Sequence, residues 1–550
     1  MHPIERIHFV ELNAKLNTLA AKPIFPKYGT PLLAAIMKQQ GYQVRIYLDG
    51  VSDMSIERIA DCDLVCLPVY APALNKVKQI VAQLRRARPD LPIVTGGPFV
   101  ALYPEAVLGC CDFAVRCEGD EALPELVRCI AAAGDPRQVS GISFRSDGAV
   151  VHTPDRPPPM IPETIPDLTL IEGFERAARG RRAQMNIVNT LQTSRGCRFR
   201  CRFCPTSKLF GDLYRNRDID SIVADIRAKL RFNPFFFVVD NSFLSNRERT
   251  VALLHRLARE RLGAHLTVFE RHEIGRDPEL LQLMKQAGVR SIIVGIESLD
   301  DENLRSYSKQ QKVDQVKASI ESILRSDIHV IGTFVVGGDG DRRDTFDKIV
   351  SFVRETGISP NLFVMHDVEQ SGSRLLIPLE RRFKTYYDRT DPDNTDHYDY
   401  CTGNFVTYFP KNIRPSTLQR GVIDVYRQLS THRQILRRVW SKNIFASLFG
   451  VQHGYAMRRM SRVLSRVVDG SYLDYLKQIE RGLYDNDERL IEQRLGDLRT
   501  LPIPGPVEER VELRRYRLLG LLLMLPGLIR HRLRGGEDLL PRRLGEPGPA

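Results

Sequence analysis

Short apolar runs alternating with amphipathic stretches set the layout of the first 140 residues. Ile7 to Glu11, Gln43 to Tyr47, Leu64 to Val69, Pro92 to Thr95 and Phe113 to Arg116 have the length of buried strands, whereas Gly29 to Gln39 and Asn75 to Arg86 carry apolar residues at helical spacing. The alternation predicts an α/β fold: a doubly wound, Rossmann-like parallel sheet over residues 1–140, with helices on both faces. Ligands of such sheets bind outside the carboxyl ends of the strands. Gly96-Gly97-Pro98 follows one strand and Glu118-Gly119-Asp120-Glu121 another, so both turns fall on that edge. Prolines then crowd between Val151 and Leu168, including Pro157-Pro158-Pro159, and predict a linker over 141–185. Strand–helix units resume with Asn186 to Gln192, Phe235 to Asp240, Leu266 to Glu270, Ser291 to Ile296, Val330 to Val336 and Leu362 to His366. Six such units predict a partial (β/α)6 barrel over 186–400, with its chemistry at the C-terminal strand ends. Residues 401–550 read as a mainly helical extension.

Composition changes this picture little. The 550 residues are 43% hydrophobic, ordinary for a globular chain. No window has the roughly 20 apolar residues of a membrane span, and no N-terminal stretch has the pattern of a signal peptide, so a cytoplasmic location is expected. Cys62, Cys66, Cys110, Cys111, Cys117, Cys129 and Cys401 fall mostly within apolar patterns and read as reduced small hydrophobes. The net charge of +13 fits an anionic surface or an acidic substrate. The arginines do not form an aromatic-interleaved module, so nucleic acid is not an expected partner. An apolar run, Leu518 to Ile529, is flanked by Arg514, Arg515 and Arg517 and by Arg530, Arg532 and Arg534. It suits either a peripheral contact at the inner face of a membrane or a helix packed on the barrel with snorkelling arginines.

The chemistry-bearing residues cluster at the predicted strand ends. Cys197, Cys201 and Cys204 offer three thiolates from one loop, one fewer than a closed structural zinc site or an iron–sulfur cluster takes from protein. The set is either an incidental surface triplet or a site with one open position. Gly196 permits a close backbone approach, Phe203 supplies an aromatic face, and Arg198, Arg200 and Arg202 either offset thiolate charge or form a solvated basic loop. Further along stand Asp240-Asn241-Ser242-Phe243, Gly295-Ile296-Glu297-Ser298 and Gly332 to Gly338 with Asp339 and Asp341. Asp240 and Glu297 read as ligand-binding carboxylates or as caps, and Asp277-Pro278 reads as a helix start.

The C-x3-C-x2-C loop, the Gly-Ile-Glu-Ser strand end and the preceding glycine-turn domain together resemble radical S-adenosylmethionine (SAM) enzymes that carry a cobalamin-binding domain. Within that group they are similar to class B methyltransferases and hopanoid methylases. The resemblance implies that Cys197, Cys201 and Cys204 hold a 4Fe-4S cluster whose fourth iron is chelated by SAM. It implies SAM contacts at Phe203, Asp240, Glu297, Ser298 and Gly337, and cobalamin contacts at Gly96, Gly97, Glu118 and Gly119. The D-x-H-x-x-G loop, whose histidine would ligate cobalt, is missing from the first domain, and Phe99 stands where that family's turn often has histidine. The literal match Asp327 to Gly332 runs into a barrel strand. Cobalamin would therefore bind without a protein histidine, unless the scaffold has lost the ligand. The implied activity is C-methylation of an unactivated carbon of a lipid or other small molecule, with an external flavodoxin- or ferredoxin-type electron donor. Radical cyclisation, rearrangement or oxidation is the alternative within the family, and a non-catalytic iron–sulfur sensor the alternative outside it.

Overall fold

The computed structural model describes residues 3–14, 25–179, 187–365 and 396–431, apart from 117, 212 and 310, together with parts of 433–484. Cys117, Asn186, His366 and the apolar run at 518–529 lie outside the described residues.

Strands β1 (Arg6–Glu11), β2 (Gln43–Leu48), β3 (Leu64–Pro68), β4 (Ile93–Gly96) and β5 (Phe113–Val115) form a parallel sheet in the order β2-β1-β3-β4-β5. Ile7, Phe9, Ile46, Leu64 and Val94 fill one face, while Val10, Tyr47, Val65, Leu67 and Ile93 fill the other, as a sheet covered on both sides requires. The strand order reverses between β1 and β3, which opens a crevice at their carboxyl ends. The sheet extends further than the sequence suggests. Strands β6 (Ile142–Ser146) and β7 (Ala149–His152) add an antiparallel hairpin to β5, so the segment predicted as linker begins inside the sheet. The turn Asp147-Gly148, with both residues at positive φ, is the local hairpin signal. Ile171 then bridges to Ile46, which ties the end of the proline-rich stretch back onto this domain.

The second sheet has six parallel strands in the order β15-β14-β13-β12-β11-β8. They are β8 (Asn189–Leu191), β11 (Phe235–Val238), β12 (His265–Glu270), β13 (Val289–Glu297), β14 (His329–Val336) and β15 (Ser359–Val364). Their apolar residues make one continuous core with the surrounding helices, and the open six-stranded array is the partial barrel expected. His329 begins β14 and is buried in it, as the strand reading required. Two short strands, β9 (Ser194–Arg195) and β10 (Arg215–Asn216), pair antiparallel and enclose the cysteine loop between them. The helix Pro415–Leu429 packs on Thr345–Thr356 and Leu473–Tyr484, and Tyr426 Oη accepts from Leu362 N at 2.8 Å, fastening the described part of the helical extension to the barrel edge.

The two sheets are joined by buried polar contacts. Asp225 receives Arg217 at 2.6 Å and Lys229 at 2.7 Å, with all three side chains at 0–1% exposure, and Tyr28 of the first domain donates to Asp225 at 3.1 Å. Thr190 of β8 adds a hydrogen bond to Pro26 O at 2.9 Å.

Candidate active site

A cavity of about 460 Å³ lies where the carboxyl edges of the two sheets meet. Gly96, Gly97, Glu118 and Gly119 line one wall, and Arg195, Phe237 and Val239 line the other. Among the described residues, none of those lining it is a histidine. The shape and mainly apolar wall suit a large ligand, but the predicted residues act differently from the expectation of open glycine backbone. Gly97 has φ +96°, and a Cβ there would stand 3.1 Å from Val69 O, so the residue serves the turn itself. A Cβ on Gly119 would meet Leu33 at 3.3 Å, which marks a helix–helix contact, whereas Gly96 has only an ordinary contact with Val115.

Glu118 is engaged by the protein's own cations. It pairs with Arg195 and Arg215, and Asp120 pairs with the same Arg195, the four side chains being 7–11% exposed. Burial alone would lower the Arg195 pKa, but Asp120 and Glu118 outweigh it and hold the guanidinium charged. These pairs connect the start of the helix Gly119–Ala131, which follows β5, to β9 and β10. No local pattern announces them, because the partners are 75 to 97 positions apart.

The cysteine loop leaves β9 directly. Gly196 has φ +87°, and a Cβ there would lie 2.0 Å from Leu213 O, so the glycine is required by the crossing of β9 and the chain entering β10, not by a ligand. Gly196→Ala is accordingly expected to prevent cluster uptake, measured as loss of the visible absorbance after anaerobic reconstitution. Cys197, Cys201 and Cys204 are half-buried. Thr206 Oγ1 lies 3.1 Å from Cys204 Sγ and accepts from Asn241 at 3.0 Å. Burial pushes the Cys197 and Cys201 thiols up, and Lys309 and Arg271 pull Cys201 back toward thiolate. Arg198, Arg200 and Arg202 are exposed, which favours the solvated-loop alternative, and the cations that act on Cys201 include Lys309 and Arg271. Three thiols with hydroxyl and cationic neighbours fit the ligand set of a cluster with one open iron. Among the described residues no three His, Cys, Asp or Glu side chains converge as a single-ion site.

The strand-end residues divide into two groups. Asp240 is buried under the loop and accepts from Thr193 N at 2.7 Å and Ser194 Oγ at 2.7 Å, as well as from Thr193 Oγ1. It is therefore not offered to a ligand ammonium, as the resemblance implied, and neither is it a helix cap. It positions the strand from which the cysteines hang. Glu270, which the sequence reading passed over although it holds the same strand-end place, accepts from Leu244 N at 2.6 Å and Arg271 N at 2.8 Å. Burial raises both carboxyls above the usual range. Ser298 Oγ accepts from Asp300 N at 3.1 Å and Asn303 Nδ2 at 3.3 Å, so its first task is to shape the start of the helix Asp301–Ser306.

Glu297 faces the cysteine loop. It adopts φ +65°, a left-handed conformation that a glutamate rarely takes, and pairs with Lys309 at 2.7 Å. Lys309 also donates to Gly295 O at 2.7 Å, and a Cβ on Gly295 would collide with both charged groups. Phe203 stands edge-on to Tyr307, with ring centres 5.5 Å apart, against Met365, Tyr408 and Val335. Gly337 sits in the same cluster at φ +100°, and the place of its absent Cβ is taken by Tyr408 Oη and Leu418. Its glycine thus makes room for Tyr408, not for an adenosyl group.

Asp341 underlies this turn, accepting from Gly337 N at 2.6 Å, Gly338 N at 3.1 Å and Asn303 Nδ2 at 2.8 Å. Burial pushes its carboxyl up to about 6 in spite of these donors. The folded protein therefore holds the proton more tightly than the unfolded chain, and the Asp341 contribution to stability falls as pH rises from about 4 to about 6. Asp341→Asn should remove that part of the pH dependence, read as the difference between wild-type and variant urea midpoints at pH 4.5 and 7.

The decisive observation is that two family models match the two halves of this site. The B12 binding domain matches residues 14–127 and the radical SAM superfamily matches 191–353. It is a cobalamin-dependent radical SAM enzyme. Its cofactors are accordingly a 4Fe-4S cluster and SAM in the barrel and cobalamin in the N-terminal domain. The chain is 24% identical over 461 residues to the anaerobic magnesium-protoporphyrin IX monomethyl ester cyclase of Rubrivivax gelatinosus, covering 80% of each chain. It is 24% identical over 504 residues to the hopanoid C-2 methylase of Rhodopseudomonas palustris, covering 83% of this chain and 89% of that one. The radical SAM methyltransferase TsrM from Kitasatospora setae, solved with cobalamin and a [4Fe-4S] cluster bound, superposes with a TM-score of 0.61 at 15% identity, over 85% of this chain and all of that one. At that identity the likeness shows the shared fold. Among the described residues of the enzyme, no helix is long and apolar enough to cross a membrane, and no disulfide joins the described cysteines.

Proposed function

We propose that the enzyme methylates an unactivated carbon of a lipid or other small hydrophobic molecule. The observation that carries this reading is the place of the cavity: it opens between the carboxyl edges of both sheets, beside the loop that holds Cys197, Cys201 and Cys204. Those cysteines would hold the cluster, and Gly96, Gly97, Gly119 and the apolar opposite wall would hold the corrin. When bound, SAM with a reduced cluster supplies a 5′-deoxyadenosyl radical, and cobalamin supplies a transferable methyl group. The chain's own residues do the positioning. Asp240 and Glu270 hold the strand ends beneath the cysteine loop, Lys309 and Arg271 offset its charge, and Glu297 with Phe203 borders the space for SAM. Apolar walls exclude water, which protects reactive carbon chemistry. The hopanoid C-2 methylase among the relatives favours a lipid substrate.

The test is an anaerobic reaction with SAM bearing a trideuterated methyl group over a panel of polycyclic and isoprenoid lipids. The expected product carries the intact labelled methyl group and appears together with 5′-deoxyadenosine. Formation of 5′-deoxyadenosine with an unlabelled, ring-closed or rearranged product would replace methylation by the cyclase reading, and absence of SAM cleavage would leave a sensor.

A further inference from the structure

One ionic cluster spans the cavity and ends at the cysteine loop. Both carboxylates come from the start of the helix Gly119–Ala131 that follows β5, Glu118 as its N-cap and Asp120 in its first turn, and both guanidiniums come from the strand pair that encloses the loop. Arg195 and Arg215 are directly paired residues of β9 and β10, and Arg215 also donates to Pro159 O. Arg195 gives Asp120 a further hydrogen bond at 3.1 Å and Gln192 one at 2.8 Å, so its orientation is fixed on both sides. Only Gly196 separates Arg195 from Cys197, and Gly196 is held against Leu213 O with no room for a Cβ. A displacement of Arg195 therefore reaches Cys197. On the other side, Glu118, Asp120 and Arg195 all line the cavity.

We infer that Arg195 and Arg215 are positioning residues through which the occupant of the cavity and the cluster on the cysteine loop stabilise each other. This rests on the proposed assignment of the two cofactor sites. An occupant displaces water from the face of the ionic cluster, and charge pairs strengthen as the local dielectric falls. The tightened pairs restrain β9 and hence the thiol set. Because such coupling is reciprocal, a bound cluster must raise affinity for the corrin by the same factor that the corrin raises affinity for the cluster. The carboxylate predicted to touch cobalamin, Glu118, works in this account as the link between the sites.

The experiment titrates the full-length protein with aquacobalamin by absorbance, in its cluster-loaded form and after removal of the cluster by chelation. The wild type should bind aquacobalamin about 5- to 150-fold more tightly when the cluster is present, the range usual for coupled sites. In Glu118→Gln and Asp120→Asn the ratio should approach one, and Glu118→Asp should keep part of it. A wild-type ratio of one overturns the inference, as does a variant that loses affinity equally in both forms, because a contact that is merely structural would do that. Hydrogen exchange on the wild type needs no variant to fold: amides between Ser194 and Cys204 should slow when aquacobalamin is added, and unchanged exchange with aquacobalamin bound overturns the coupling. Failure of both forms to bind aquacobalamin at all would instead remove the cofactor assignment, and the inference with it.

Discussion

Replacing Cys197, Cys201 or Cys204 with alanine is expected to abolish cluster absorbance and SAM cleavage together, a loss of activity to background. Each thiol is one of three on the loop, and an iron left with neither protein nor SAM ligand would open a second vacancy in the cluster. The folded chain should survive the change, since each side chain is only half-buried and takes no part in the main apolar cores. Iron and sulfide analysis beside far-ultraviolet circular dichroism separates the two effects. A variant that kept a full cluster would show that another ligand replaces the missing cysteine.

The largest effect on stability is expected at Asp225, far from the chemistry. Asp225→Ala leaves Arg217 and Lys229 buried with their shared counter-ion gone, and burial already pulls the Lys229 ammonium down toward its neutral form. Breaking one partner out of a buried ionic set typically costs about 3–5 kcal/mol. Urea unfolding, read from midpoint and slope together, should show a loss of stability of that size. Because Tyr28 ties the same carboxylate to the N-terminal domain, corrin binding should weaken in parallel. A shift below about 1 kcal/mol would mean that water reaches the two cations once the carboxylate is removed.

The parts of the fold legible in the sequence are those set by local pattern. Gly29–Gln39 was delimited by its helical spacing, and the six barrel strands by apolar runs ending in polar residues. The hairpin Ile142–His152 was hidden because the prolines that follow it dominate the composition there, whereas its own signal is a two-residue turn. At the site, spacing exposed the three cysteines because a cluster loop is local. The ionic partners of Glu118, the support that Asp240 gives to Thr193 and Ser194, and the pairing of Glu297 with Lys309 come from different elements that only the folded sheets bring together. Glycines were misread for a related reason. A glycine on a strand-end turn signals a close approach, but the sequence does not say to what; Gly196 approaches Leu213 and Gly337 approaches Tyr408, both within the chain.

The central claim is that the cavity between the two sheets holds cobalamin without a histidine on cobalt. Electron paramagnetic resonance of the full-length protein loaded with cob(II)alamin tests it most directly. Among the described residues no histidine lines the cavity, so labelling the protein's histidines with nitrogen-15 should leave the nitrogen hyperfine pattern unchanged, whether or not the corrin's own base sits on cobalt. A pattern that changes with the label, or failure to take up the corrin, would contradict the account.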